Sequence, residues 1–266
     1  MKKLIACLIP CLLMACEDVF QVHPYDVHIK GETNINAHHI AEIEARCKNK
    51  DTLRIAFISD THCWYSRAKD EVASVNSRAD LDFVIHLGDL TDTGTTKEFT
   101  WTREILDKLH VPYIALIGNH DFLGTGDQTY EMMFGPMDFS FIVSRIKFVC
   151  LNTNATEYDY VAAVPNFDFM EQEATTETAH FDRTILLMHA PPYSDQFNNN
   201  IVKAFQRYTH IFPQLMFCIY GHNHRQAAGE IYRDGIMYYG VDCAEHRNYC
   251  IFTLTTDGYE YEIVNF

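Results

Sequence analysis

Five short polar clusters lie along this chain, each directly after an apolar run: Asp60-Thr61-His62, Gly88-Asp89, Gly118-Asn119-His120-Asp121, the single His189, and Gly221-His222-Asn223-His224. Neutral imidazoles, carboxylates and an amide oxygen form a mixed nitrogen and oxygen donor set, which suits first-row metal ions and needs no thiolate. A carboxylate such as Asp89 can bridge. Two ions about 3.5–4 Å apart lower the pKa of a shared water and clamp the attacking and leaving oxygens of a phosphoryl group. A single His after a strand is most often a hydrogen-bonded structural residue. Five such clusters in one chain point to a site.

For the clusters to meet, the runs before them must share an edge. Residues 53–59, 83–87, 113–117, 185–188 and 217–220 read as buried strands, nearly all apolar and closed by polar or Gly-containing turns. In open α/β sheets, ligands gather at the carboxyl ends of strands, and every cluster sits at such an end. Between strands, Thr95 and Glu98 form a capping box opening a helix with Phe99, Ile105, Leu106 and Leu109 inward. Ile201, Phe205, Tyr208 and Phe212 mark another helix. Residues 139–151, 225–241 and 249–264 read as hairpins, the last turning at Asp257-Gly258. The result is a mixed system, α/β at the front with antiparallel additions behind. Residues 16–51 read as a leader, with a helix from Asn34 as N-cap through Lys48 that puts Ile40, Ile43 and Cys47 on one face. The catalytic domain is expected over 52–266.

On these residues the chain resembles the calcineurin-like metallophosphoesterase family, whose signature runs DxH, GDxxD and GNHD or GNHE at regular intervals, followed by a lone His and GHxH. Here His62 and Gly88 are separated by 25 residues, and Asp92 and Gly118 by another 25. The resemblance implies a four-layer α/β/β/α sandwich of two mixed sheets. It implies that Asp60, His62, Asp89 and His224 hold one metal while Asp89, Asn119, His189 and His222 hold the other, with Asp89 as bridge. The ions would be divalent or trivalent Mn, Fe or Zn. His120 would face the substrate's leaving oxygen, its ring oriented by the carboxylate of Asp92, and Asp121 would support the loop. The implied reaction is hydrolysis of a phosphate mono- or diester by a hydroxide held between the ions. The motifs do not separate cyclic-nucleotide phosphodiesterases, nucleotidases, lipid-precursor hydrolases and general phosphatases. Residues 122–138 and 154–180, with Tyr130, Tyr158, Tyr160, Phe167 and Phe169, are the expected specificity loops.

The chain has 266 residues, 47% hydrophobic and 21% charged, enough for one sizeable core. Lys2 and Lys3 precede an apolar run over 4–13 that is too short to span a bilayer, which reads as an export signal. The run ends in Leu13-Met14-Ala15-Cys16, which resembles a bacterial lipobox, so residues 1–15 are expected to be removed and Cys16 lipidated, anchoring the chain to an envelope membrane. Losing the two lysines takes the formal charge from −15 to −17. So acidic a chain repels nucleic-acid backbones and disfavours an exported nuclease. The other rival, a non-catalytic binding protein of the same fold, is opposed by the complete ligand set and His120.

Of nine cysteines, no two form a CxxC pair, and Cys150, Cys218 and Cys250 sit in strand-like runs as buried thiols. A Cys243–Cys250 bridge is conceivable after export. His23, His28, His38 and His39 read as surface residues and His86 as a core histidine. His246 and Tyr193 lie near motif loops as weaker candidates for pocket lining.

Overall fold

A computed structural model describes His23 and residues 25–158 and 162–266. The expected export signal, Cys16 and Tyr160 lie outside these residues. Among the described residues, no helix is long and apolar enough to cross a membrane.

Two mixed sheets form the centre. In the first, β1 (Leu53–Ile58), β2 (Phe83–His86) and β3 (Tyr113–Ala115) run parallel, and β10 (Asn248–Leu254) and β11 (Tyr259–Asn265) add antiparallel in the order β11-β10-β1-β2-β3. In the second, β5 (Ile146–Leu151), β6 (Arg183–Met188), β7 (Leu215–Tyr220) and β9 (Met237–Gly240) are parallel. Its antiparallel edges are β4 (Phe139–Val143) on β5 and β8 (Ala227–Glu230) on β9.

Three apolar clusters make the layers. Ile55, Phe57, Phe83 and Ile85 from the first sheet interlock with Phe148, Ile185, Leu187, Phe217 and Ile219 from the second, all fully buried. The first sheet's outer face, with Val84 and Ile251, packs under α2 (Tyr65–Asn76), α3 (Thr96–Leu106) and α4 (Gly126–Met133) through Val72, Phe99 and Tyr130. The second sheet's outer face packs under α6 (Phe167–Thr175) and α7 (Val202–Thr209) through Met170 and Phe205. This is the expected α/β/β/α sandwich. Strands hydrophobic on both faces are what such double coverage requires. The capping box of Thr95 and Glu98 also forms as expected.

Several expectations differ from the structure. The leader packs onto the domain through one helix. Its helix α1 (Ile35–Arg46) buries Ile35 and Ile43, and Asn36 pairs its side-chain amide with both N–H and C=O of Ala115 on the edge strand β3. Asn34 is in the N-cap position but at φ 54°, and its side chain caps nothing. Tyr130, expected in a specificity loop, is fully buried and donates its hydroxyl to Ala115 O at 2.7 Å. Phe167 stacks on Tyr208 and, with Phe169, packs over the second sheet. Cys243 and Cys250 are both free thiols.

Glu71 on α2 is 1% exposed, and its Oε1 has no hydrogen-bond partner. Burial raises its carboxyl well above the ordinary value of 4.5. The folded state therefore keeps a proton that the unfolded chain gives up, so the stability present below about pH 4.5 is lost as pH rises toward the folded pKa. Glu71→Met removes this loss. The variant is expected to gain about 1–3 kcal/mol on wild type between acid and neutral pH, the scale of an unsatisfied buried polar group. Thermal unfolding of both proteins across that range checks it. A constant difference in Tm contradicts it.

Candidate metal centre

The carboxyl ends of the parallel strands of both sheets lie side by side, and the five clusters extend from them. β1 delivers Asp60 and His62, β2 delivers Asp89, β3 delivers Asn119 and His120, β6 delivers His189, and β7 delivers His222 and His224. The backbone is strained at this edge. Asp60, His62, Asp89, His222 and His224 have φ of 53°, 45°, 53°, 64° and 46°. Left-handed conformations cost non-glycine residues roughly 1–2 kcal/mol each and persist where the surroundings impose them. Gly118 is needed for close approach, because a Cβ there would collide with the amide and carboxylate of Asp89.

Two groups of donor atoms share one residue, and a third brings His62, Asp92 and His120 together. Ligand atoms of Asp60, His62, Asp89 and His224 lie within 4.8 Å of one another, as do those of Asp89, His189 and His222. Asp89 Oδ2 is 3.5 Å from His62 Nε2 and 3.2 Å from His189 Nε2, so a single oxygen faces both groups. Its Oδ1 accepts the backbone N–H of His120 at 2.8 Å. Asn119 Oδ1 joins the second group, 3.1 Å from His189 Nε2 and 2.9 Å from His222 Nδ1.

This set fits metal ions. The Nε2 atoms of His62 and His224 face each other at 3.2 Å. The buried Asp60 Oδ1 lies 3.1 Å from His224 Nε2 and 3.9 Å from His62 Nε2. Two outward nitrogens are engaged elsewhere: His189 Nδ1–H donates to Leu87 O at 2.8 Å and His222 Nε2–H to Asp195 Oδ1 at 2.8 Å. Outward donation fixes the tautomer that leaves the inward lone pair free for a metal.

The protonation pattern also calls for positive charge. Burial alone would raise Asp60, but the hydrogen bond and charge of His224 and the charge of His189 hold it well below the usual carboxylate range. Burial alone would lower His189, yet Asp89 raises it to about 9. His224 rises to about 10, chiefly through its hydrogen bond to Asp60. The carboxylates draw protons onto these imidazoles, protons that a metal ion would displace.

Around the donors, Asp121 accepts N–H groups from Leu90, Thr91 and Gly118, tying the loops after β2 and β3 together as expected. Burial and the charge of Asp89 push its carboxyl up to about 7. His86 is the expected core histidine, fully buried between Thr61 Oγ1 and Gly88 N, and burial lowers it to about 4. The role given to Asp92 is corrected. His120 Nδ1–H donates at 2.8 Å to the main-chain carbonyl of Asp92, while the carboxylate lies 3.5 Å from His62 Nδ1. His120 packs edge-on against His62 with ring centroids 4.5 Å apart.

The site residues that the sequence does not single out are Asp195 and the Asp242–Cys243 pair beside His246. Asp195, on His222, has no fixed spacing to any motif. Asp242, Cys243 and His246 cluster just past β9, with His246 Nδ1 2.7 Å from Asp242 Oδ1. The same pattern of apolar run followed by polar cluster, over 236–243, could have revealed them. Tyr193 is 61% exposed with φ 71°, its ring beside Tyr232.

Similarity to known proteins agrees with the geometry. A 3′,5′-cyclic-nucleotide phosphodiesterase of Nostoc is 26% identical over 56% of this chain and 58% of its own length. A probable cyclic nucleotide phosphodiesterase of Ruthia magnifica is 22% identical over 66% of this chain and 75% of its own. This chain thus spans less than two thirds of the Nostoc relative. By fold, the chain resembles an anchor protein of the Plasmodium inner membrane complex, with TM-score 0.62 and 12% identity over 81% of this chain and 85% of that one. It also resembles a purple acid phosphatase from yellow lupin seeds, with TM-score 0.52 and 14% identity over 80% of this chain and 54% of that one. The family model of calcineurin-like phosphoesterases matches residues 53–226, well over half of the chain and all five clusters, and the protein therefore belongs to that family.

Proposed function

We propose that this phosphoesterase hydrolyses a small phosphodiester of the cyclic-nucleotide class at a dinuclear centre of first-row ions. The observation that carries the reading is the placement of Asp89 Oδ2 between the two donor groups, since a shared carboxylate holds two ions close enough to act on one phosphoryl group. Asp60, His62, Asp89 and His224 would hold one ion and Asp89, Asn119, His189 and His222 the other. When bound, the ions supply Lewis acidity, making water acidic enough to attack and neutralising charge on the phosphoryl oxygens.

The chain's own residues do the rest. Asp121 and the Gly118 turn hold Asp89 in place. His120, fixed through the Asp92 carbonyl and packed edge-on against His62, acts on the leaving oxygen. The relatives' names support a diester, and so does the rim: Asp92 and Asp195, with side chains 45% and 84% exposed, repel a dianionic monoester more than a monoanionic diester. The Mn-loaded protein is expected to turn over 3′,5′-cyclic AMP with kcat/KM on the order of tenfold above that for a phosphomonoester, about 1.4 kcal/mol of charge discrimination. Hydrolysis of monoesters alone would overturn the diester assignment.

We also carry forward the lipid anchor on Cys16, supported by the lipobox-like run over 13–16. Cys16→Ser is expected to move the protein from the membrane to the soluble fraction. A variant that still sediments with membranes like its parent contradicts the anchor.

A further inference from the structure

The partners of the outward histidine nitrogens are not alike. Leu87, whose carbonyl takes the hydrogen of His189, lies in the interior, fully buried. Asp195 instead comes from the loop 189–198 between β6 and the short turn at Asn199–Ile201, and its side chain is 84% exposed. No motif of the family resemblance includes it. We propose that Asp195 is a positioning residue for the second ion, holding His222 in the tautomer that ligates and so setting that ion's affinity. The inference rests on the dinuclear reading above.

A neutral imidazole carries one N–H, and if that proton sits on Nδ1 the lone pair aimed at the centre is lost. His222 Nδ1 faces Asn119 Oδ1 at 2.9 Å, and Asp195 Oδ1 takes the hydrogen on Nε2 at 2.8 Å. An ordinary exposed carboxylate would spend side-chain entropy to keep such a contact. Here the loop is braced. Ser194 N–H donates to Pro191 O at 3.1 Å, Tyr193 N–H to Asn199 Oδ1 at 3.0 Å, and Asn199 Nδ2 to Ser194 O at 2.7 Å. One residue beyond Asp195, Gln196 O accepts Ala155 N–H at 2.9 Å, fastening the loop to the segment after β5. The left-handed Tyr193 within this brace turns the chain so that Asp195 reaches His222.

The test compares the full chain with Asp195→Ala and Asp195→Asn. Calorimetric titration with Mn2+ reads the affinity of each ion, and 15N NMR of the metal-stripped protein reads the His222 tautomer. Asp195→Ala should weaken one of the two Mn2+ steps by about 10–100-fold and leave the other unchanged. Asp195→Asn keeps an oxygen acceptor and should recover part of that loss. The Nε2–H tautomer should dominate in wild type and Asp195→Asn and become mixed in Asp195→Ala. Two unchanged Mn2+ steps in Asp195→Ala, or equal losses in both variants, overturn the positioning role. If wild type takes up no Mn2+, the dinuclear reading fails instead, and an unaltered tautomer in Asp195→Ala still rejects the role of Asp195.

Discussion

Asp89→Asn is expected to lose bound metal and nearly all activity. The substitution preserves size but removes the charge of the one oxygen that faces both donor groups, at 3.5 Å from His62 Nε2 and 3.2 Å from His189 Nε2. An amide is a far weaker bridging ligand, so both ions should bind more weakly. Ions worth several kcal/mol of transition-state stabilisation correspond to a loss of about 10³-fold or more in kcat/KM. Elemental analysis of the purified variant, with kinetics at saturating Mn2+, checks both parts. Full metal content together with full activity contradicts the bridging role.

His120→Asn should fail differently. His120 lies beside His62 but belongs to neither donor group facing Asp89, and its ring is held by the Asp92 carbonyl. The variant is expected to keep its metal while kcat falls by roughly 10²–10⁴, the usual contribution of a positioned acid–base group. The loss should shrink with a nitrophenyl ester, whose leaving oxygen is already a weak base and gains little from a proton. A deficit that stays the same across leaving groups would point to electrostatic stabilisation in place of proton donation. Unchanged turnover of a cyclic nucleotide, or loss of metal like that of Asp89→Asn, contradicts the assignment. Because the Asp92 carbonyl orients the ring, Asp92→Asn should cost His120 little, which sets this arrangement apart from a carboxylate–histidine pair.

The candidate donors are legible in the sequence because each follows a nearly all-apolar strand, and the strand end fixes where the side chain goes. Asp60, Asp89 and Asn119 meet at the carboxyl edge of one sheet, and His189 and His222 at that of the sheet packed against it. Roles set by a particular atom are not legible. Spacing places Asp92 near His120 but cannot say whether its carbonyl or its carboxylate makes the contact. Asp195 escapes for a related reason: its position depends on a braced, irregular loop with a left-handed Tyr193, which no periodicity encodes. Tyr130 misleads because an aromatic between motifs looks like pocket lining. Only the tertiary fold shows that its segment is a helix lying on β3, with the hydroxyl satisfied by Ala115 O. The leader helix is underestimated likewise, since the edge-strand contact of Asn36 is long-range.

The protonation pattern links the metals to pH. With Asp89 raising His189 to about 9 and Asp60 raising His224 to about 10, metal must displace protons from imidazoles, so affinity should rise with pH and uptake should release protons. Metal content of the wild-type chain is therefore the most direct test of the account. Protein purified without chelator and then equilibrated with Mn2+ or Zn2+ above neutral pH is expected to hold about two ions per chain by elemental analysis, in keeping with two donor groups sharing one carboxylate. Less than one ion per chain, with no uptake of either metal, would contradict the dinuclear centre and the phosphodiester chemistry built upon it.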